Sequence, residues 1–420
     1  VARIIVIGGG YAGVWCARRI ARARPGVVVT LVSDRPYHSF HGWTAEVLTG
    51  HVRAEHARVP LRDLLPGVDL VAGRVRRVDP QRRAVVVATP DGSRTLIGDH
   101  IVVAAGSRDA ADRVPGLAEH AWSLKDTEGV EKLGRHLTDV LARERLAEGT
   151  VAARLRTVVV AGGGFTGVEV ATAIAQRLRD VGGPAPRVVL AHPGAHVLPS
   201  LRPRFDRVAD YAVVQARAAG VEFLPHARLT AVTADGAEFG AAGSLPAATV
   251  VAAIGQTPAS LPGLDALPRD AAGRLVTDRF LRIGPGLWAG GDGAAVPHPH
   301  TSGACPADAL WAIHHGTRIG GNIVRALDGR PPRPFRFPGL GQGASLGVGR
   351  GIAELYGIPL TGWSAWGARW FFFHAYMPSR RVALAAAADW FRPRRRAARA
   401  GVRAGIRPGL SRTTGPAGAQ

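Results

Sequence analysis

Cysteine, lysine and long apolar runs are scarce in this chain of 420 residues. Its two cysteines, Cys16 and Cys305, lie far apart and form neither a C-x-x-C nor a C-x-x-x-x-C pair, which argues against a disulfide framework, a zinc site and a redox dithiol. No apolar run reaches the ~18 residues of a membrane span, and a β-branched strand followed by glycines begins at Arg3. The expectation is a cytoplasmic protein with neither a signal peptide nor a transmembrane helix. Only Lys125 and Lys132 are lysines, so 51 of the 53 basic residues are arginine. So uniform a bias reads as a coding preference, and nucleic acid is not an expected partner.

What remains is a globular composition, 46% hydrophobic. The length accommodates two or three domains and excludes a single small binding module. The net charge is +21, of which +13 falls in residues 330–420, where 15 arginines face only Glu354 and Asp389.

Arg3-Ile4-Ile5-Val6-Ile7 is a buried parallel strand by pattern, Gly8-Gly9-Gly10-Tyr11-Ala12-Gly13 a turn, Val14 to Ala23 a helix and Val27 to Val32 a second strand. The same order returns with strand Thr157 to Ala161, turn Gly162-Gly163-Gly164-Phe165-Thr166-Gly167, helix Val168 to Arg179 and strand Arg187 to Ala191. Each module also ends alike, on a strand running into small residues: Asp99 to Ser107, with Ala105 and Gly106, and Thr249 to Gly255. Glycines at the first, third and sixth turn positions (Gly8, Gly10, Gly13; Gly162, Gly164, Gly167) permit the bend and admit a pyrophosphate. They also bring helix and strand together, with the helix N-terminus offering free N–H groups. Two such units predict two nucleotide-binding modules.

The acid that usually holds the adenosine ribose belongs at the end of the second strand. Ser33 occupies that place in the first module. Asp34 beside it is either a ribose contact or a solvated turn residue. In the second module the position is His192, with no acid between Arg187 and His196, so NADH and NADPH both remain open as donors. A third element, Gly286-Leu287-Trp288-Ala289-Gly290-Gly291-Asp292, is a strand whose Asp292 precedes a helix; alone it reads as a turn aspartate.

Taken together, these elements resemble the FAD and NAD(P) reductase superfamily, and within it the type II NADH:quinone oxidoreductases. The likeness covers nearly the whole chain. It rests further on Pro36-Tyr37-His38-Ser39-Phe40 with Glu46-Val47, on Phe165-Thr166-Gly167-Val168-Glu169, on Gly341-Gln342-Gly343-Ala344-Ser345-Leu346-Gly347, and on the aromatic, basic C-terminus. The resemblance implies an α/β fold of two Rossmann-like domains, for FAD and for NAD(P)H, plus a C-terminal amphipathic helical region. It also implies hydride transfer from NAD(P)H to FAD and electron transfer to a membrane quinone. The disulfide reductases nearby need paired cysteines that this chain lacks.

By the same resemblance FAD is held by Gly8, Gly10, Gly13, Ser33, Asp34, Ala105, Gly106, Asp292 and Ala309, and NAD(P)H by Gly162, Gly164, Gly167, Glu169, His192 and Gly255. The flavin carries the chemistry. Glu169 is expected beside the nicotinamide as a binding group, though a first-turn acid favoured by the helix dipole accounts for it equally. The family's Ala-Gln-x-Ala-x-Gln pattern reads Ala309-Leu310-Trp311-Ala312-Ile313-His314, so both glutamines are lost. Leu310 and His314 inherit the quinone positions, with Glu169 and His314 the catalytic candidates. No metal site is expected.

Trp363, Trp366, Trp370 and Phe373 share one helix face. One use of it is a monotopic anchor, with Arg369, Arg380, Arg381 and Arg394 to Arg396 meeting anionic lipid at the inner face of the cell membrane. The other is packing on the flavin domain or across a homodimer. The expected layout is a flavin domain in two parts (1–125 and 281–340), a linker helix (126–155), an NAD(P)H domain (156–280), a membrane or dimer region (341–395) and a basic disordered tail (396–420). Rival readings are a soluble FAD-dependent NAD(P)H reductase of another acceptor, and a non-catalytic flavin sensor whose basic tail binds a partner.

Overall fold

The computed structural model describes residues 1–182 and 186–392; the tail read over 396–420, with Arg394 to Arg396, lies outside them. Two parallel sheets form the frame. The first has six strands in the order Arg282–Gly284, Leu287–Ala289, His100–Val103, Arg3–Ile7, Val28–Ser33 and Asp69–Ala72, parallel except for its Arg282–Gly284 edge. The second has five parallel strands: Ala121–Trp122, Thr249–Ala252, Thr157–Ala161, Arg187–Ala191 and Val221–Leu224. Central strands covered on both faces must be apolar at nearly every position. Accordingly Ile4, Val6, Leu31, Ile101, Val159 and Val160 are all fully buried, each contributing about 1.5–3 kcal/mol of transfer free energy.

Helix Tyr11–Ala23 lies against helix Ala309–Leu327 with backbones nearly touching. A Cβ on Gly316 would collide with the Ala12 carbonyl, and one on Gly320 would stand 2.8 Å from that of Cys16. That crowding explains why position 16 carries a small apolar side chain. Cys16 and Cys305 are both buried, and burial alone pushes the Cys16 thiol far up.

The stretch 126–155 holds helix Thr127–Glu144, capped by Asp126, and a second short helix, Gly149–Leu155. Segment Ala121–Trp122, assigned from sequence to the first module, instead pairs with Thr249–Ala252 in the second sheet, because the chain has already crossed over. Of the antiparallel sheets that were not read from the sequence, two are the largest in strand length. One is Arg74–Asp79, Ala84–Thr89 and Gly92–Ile97; the other is Gly341–Ser345, Gly351–Leu355 and Ile358–Thr361. The latter leads into helices Gly362–Tyr376 and Arg380–Asp389.

Candidate active site

The glycine turns are built the same way twice. Gly8 and Gly162 have φ of +112° and +123°, and a Cβ on either would strike the carbonyl oxygen of Ala104 or Ala253, the residue just past the end of the neighbouring strand. Gly13 and Gly167 pack onto the carbonyls of Gly8 and Gly162. These four are required by backbone packing alone. Gly10 and Gly164 are different: a Cβ there would meet nothing within 4 Å, and each caps its helix without any side-chain hydrogen bond. Open space in front of uncapped helix N-termini is what a pyrophosphate needs.

Before the first turn opens a cleft of about 980 Å³. Gly8, Gly10, Ser33, Asp34, Ala105, Gly106, Asp292 and Ala309 line it, as do Glu169 and Gly255 from the second module. Gly13 does not, being sealed beneath the turn. Asp34 also stands 3.8 Å from Arg74 in an exposed ion pair. In the second module His192 lies over the middle glycine, Gly163, as Ser33 lies over Gly9.

Where the modules meet, sequence reasoning missed a polar cluster. Ser107 Oγ donates to Asp292 Oδ2 at 2.8 Å, Lys125 Nζ donates to Ser107 Oγ at 2.8 Å, and Gln256 closes the group through its own contact with Ser107. Burial lowers the Lys125 ammonium's pKa, opposed by Asp292 and Asp109. Thr166, too, lines the cleft. Lys125 is one of only two lysines in an arginine-rich chain, the signal that could have marked it.

Behind Glu169 at the cleft wall lies an ionic triad. Arg369, from helix Gly362–Tyr376, donates Nη1 to Glu46 Oε1 at 2.7 Å, places Nη2 2.7 Å from Glu169 Oε1, and donates Nη2 to the Gly42 carbonyl at 2.8 Å. The Ser345 N–H donates to the same Glu169 oxygen at 2.7 Å. The guanidinium also lies over the Phe373 ring, 4.4 Å from its centroid. Burial pushes the Glu169 carboxyl up, Arg369 pulls it down and Glu46 pushes it up again, with about 7 as the balance. Burial works against the charge on Arg369, but the two glutamates outweigh it and hold the guanidinium protonated.

This corrects one sequence expectation: Arg369 faces carboxylates inside the protein and not lipid. The aromatic stripe is likewise drawn inward. Phe373 packs edge-on against Trp43 at 5.4 Å and Trp366 against Trp390 at 5.4 Å, so of the four stripe residues only Trp363 is largely exposed. Beyond residue 362 the large apolar side chains that are exposed are a different set, Trp363, Phe371, Leu384 and Phe391, and Arg380, Arg381 and Arg392 of the same segment are exposed as well. Among the described residues no helix is long and apolar enough to cross a membrane.

Leu310 and His314, carried over for a quinone, are held by packing contacts. Leu310 packs against the first core, and His314 stacks on Phe337 at 3.9 Å, with neither lining the cleft. Successive helical residues turn by about 100°. With Ala309 and Ala312 on the cleft side, positions 310 and 314 are rotated away.

A family model described as pyridine nucleotide-disulphide oxidoreductase matches residues 2–315. The chain is 30% identical over 359 residues to an NADH dehydrogenase-like protein of Mycobacterium tuberculosis, covering 80% of this chain and 84% of that one. It is 26% identical over 400 residues to the demethylphylloquinone reductase of Synechocystis, covering 92% and 95%. To the type II NADH:quinone oxidoreductase of Staphylococcus aureus it is 26% identical over 376 residues, covering 86% and 91%. Among solved structures, NDH2 from Plasmodium falciparum in complex with NADH superposes with a TM-score of 0.84 at 15% identity, covering 93% and 97% of the two chains.

Proposed function

The chain belongs to the pyridine nucleotide-disulphide oxidoreductase family, and from that membership we propose that it is an FAD-dependent NAD(P)H dehydrogenase that delivers electrons to a membrane quinone. The observation that carries this reading is the pair of uncapped glycine turns in two parallel sheets, with residues of both modules lining one cleft. The two buried cysteines have no place at that cleft, so disulfide chemistry is not its purpose.

The first module's residues fit FAD. Gly10 leaves room for the pyrophosphate, the uncapped N–H groups of helix Tyr11–Ala23 would bind it, and Asp292 would accept from the ribityl hydroxyls. When bound, the flavin supplies hydride acceptance and onward electron transfer. The second module would present the nicotinamide past Gly164 and Thr166 toward Glu169 and Gly255. Lys125, tied to Ser107, supplies positive charge where negative charge would build up. Glu169, with its carboxyl pushed up to about 7, holds or releases a proton near neutrality at that same wall.

Exposed Trp363, Phe371, Leu384 and Phe391, with three exposed arginines of the same segment, support a peripheral attachment to anionic lipid, which suits a lipid-soluble acceptor. The quinone side is built without the family's two glutamines, and the small Ala309 and Ala312 take the cleft wall.

The test is anaerobic mixing of the flavin-loaded protein with NADH and, separately, NADPH, followed by a short-chain menaquinone. Flavin bleaching that quinone reverses is the expected result. Bleaching that quinone fails to reverse moves the acceptor elsewhere, and no bleaching with either nucleotide overturns the dehydrogenase reading.

A further inference from the structure

The two nucleotide modules form an internal comparison, because one backbone plan carries opposite chemistry where each would meet an adenosine ribose. In the first, Ser33 stands over Gly9, and the next residue is the exposed acid Asp34. In the second, the Cβ of His192 stands over Gly163, and no acid occurs from the start of strand Arg187–Ala191 as far as Asp206. The nearby Glu222 is committed to Arg187 at 3.0 Å, at the opposite end of the two strands.

Two further histidines are gathered around His192 by backbone hydrogen bonds. Its N–H donates to the Leu224 carbonyl at 3.0 Å, its carbonyl accepts from the Ala227 N–H at 2.9 Å, and the His226 N–H donates to the Gly194 carbonyl at 3.2 Å. The loops holding His196 and His226 are thereby stitched to the strand end. His192 is buried while His196 and His226 are exposed. Burial lowers the His192 pKa, and His226 and His196 lower it further, a crowding of like groups that an anion would relieve.

A carboxylate at this place accepts from the 2′- and 3′-hydroxyls of NADH and repels a 2′-phosphate. A phosphate monoester carries about −1.5 to −2 charge at neutral pH and offers three strong acceptors. We infer that the second module is built for a 2′-phosphorylated nucleotide, so that NADPH is the preferred donor, its 2′-phosphate received by His192, His196 and His226.

The inference rests on the donor being a nicotinamide dinucleotide, and its test separates the two claims. Calorimetric titration of the flavin-loaded protein with 2′,5′-ADP and with 5′-AMP reads the phosphate site without any turnover. The expected result is at least tenfold tighter binding of 2′,5′-ADP, with His226→Asp, an exposed position, abolishing the difference. Equal affinities, or tighter 5′-AMP, overturn the inference. In stopped flow NADPH is expected to bleach the flavin with a kcat/KM at least tenfold above that of NADH, and His192→Asp to reverse the order. A tenfold preference for 2′,5′-ADP without bleaching by either dinucleotide would leave the phosphate site standing and remove the dehydrogenase. Faster bleaching by NADH with no 2′,5′-ADP preference would do the reverse.

Discussion

Glu169 is pulled in opposite directions by its two charged neighbours, and this makes its titration a sharp test of the cleft. With its carboxyl at about 7, the flavin-reduction half-reaction should show an inflection near pH 7 that Glu169→Gln removes. Arg369 Nη2 stands 2.7 Å from the carboxylate oxygen; with charge centres about 4 Å apart and an effective dielectric of about 20, the attraction is on the order of 4 kcal/mol, or about three pKa units. Arg369→Met should therefore drive the inflection upward and out of the assayed range. Glu46→Gln removes a like charge and should move it downward. Arg369→Met also leaves two buried carboxylates without a counter-ion, at a cost of about 3–5 kcal/mol, so the double variant Arg369→Met with Glu46→Gln serves as a folded control. The assay is stopped-flow bleaching at saturating donor from pH 5.5 to 9. An inflection that stays at pH 7 in Arg369→Met, or that falls, would refute the claim that this helix governs Glu169. Stability follows the same linkage. A carboxyl raised above its unfolded value contributes stability below about pH 4.5 that is lost as pH rises through about 7, and Glu169→Gln should flatten that slope in denaturant titrations.

The other predictions concern the turns, the C-terminal helix and the surface. Gly8→Ala forces a Cβ into the Ala104 carbonyl and should yield misfolded protein, whereas Gly10→Ala, with open space before it, should fold by circular dichroism yet purify with little flavin absorbance. Asp389 accepts from the Arg53 N–H at 3.0 Å, Arg53 Nε at 3.0 Å and His56 at 2.6 Å. Asp389→Asn should cost about 1.5–3 kcal/mol and expose helix Arg380–Asp389 to limited proteolysis. Burial raises the Asp389 pKa but its donors outweigh that and hold it low, so its contribution is present above the ordinary aspartate range and disappears as pH falls through its folded value. Phe371→Ser with Leu384→Ser should abolish co-sedimentation with anionic vesicles, and Arg380, Arg381 and Arg392, at about 1 kcal/mol each, should make binding to neutral vesicles about a hundredfold weaker. Binding that ignores lipid charge, or a homodimer covering this face in light scattering, would overturn the lipid assignment.

The strand-turn-helix units were legible because each is local: the apolar run, the glycine spacing and the next strand all fall within about 35 residues. The three-stranded sheet Arg74–Asp79, Ala84–Thr89 and Gly92–Ile97 was not, since its last strand, Gly-Ser-Arg-Thr-Leu-Ile, is mostly exposed and shows no clean alternation. The quinone-facing positions were carried over from a motif, and the motif's residue types had already changed. On helix Ala309–Leu327 the legible signal was the small residues Ala309, Ala312, Gly316 and Gly320, spaced three and four apart, which identify the face lying against Ala12, Cys16 and the cleft.

Arg369 shows where sequence reasoning fails for a physical reason. An arginine among tryptophans and phenylalanines, in the most basic part of the chain, fits the pattern of an interfacial helix. Its partners, Glu46 and Glu169, lie 323 and 200 positions away, and the hydrophobic period cannot report a pairing at that distance. Yet an isolated guanidinium cannot be buried without paired acids. Glu46 is itself almost wholly buried beside Trp43, and a buried glutamate requires a cation by the same argument. The triad thus ties the C-terminal helix to Glu169 at the cleft wall. Arg369 shares helix Gly362–Tyr376 with exposed Trp363 and Phe371, while Glu169 comes from helix Phe165–Val181, so a change in how the C-terminal helix sits acts on Glu169 through its contact with Arg369.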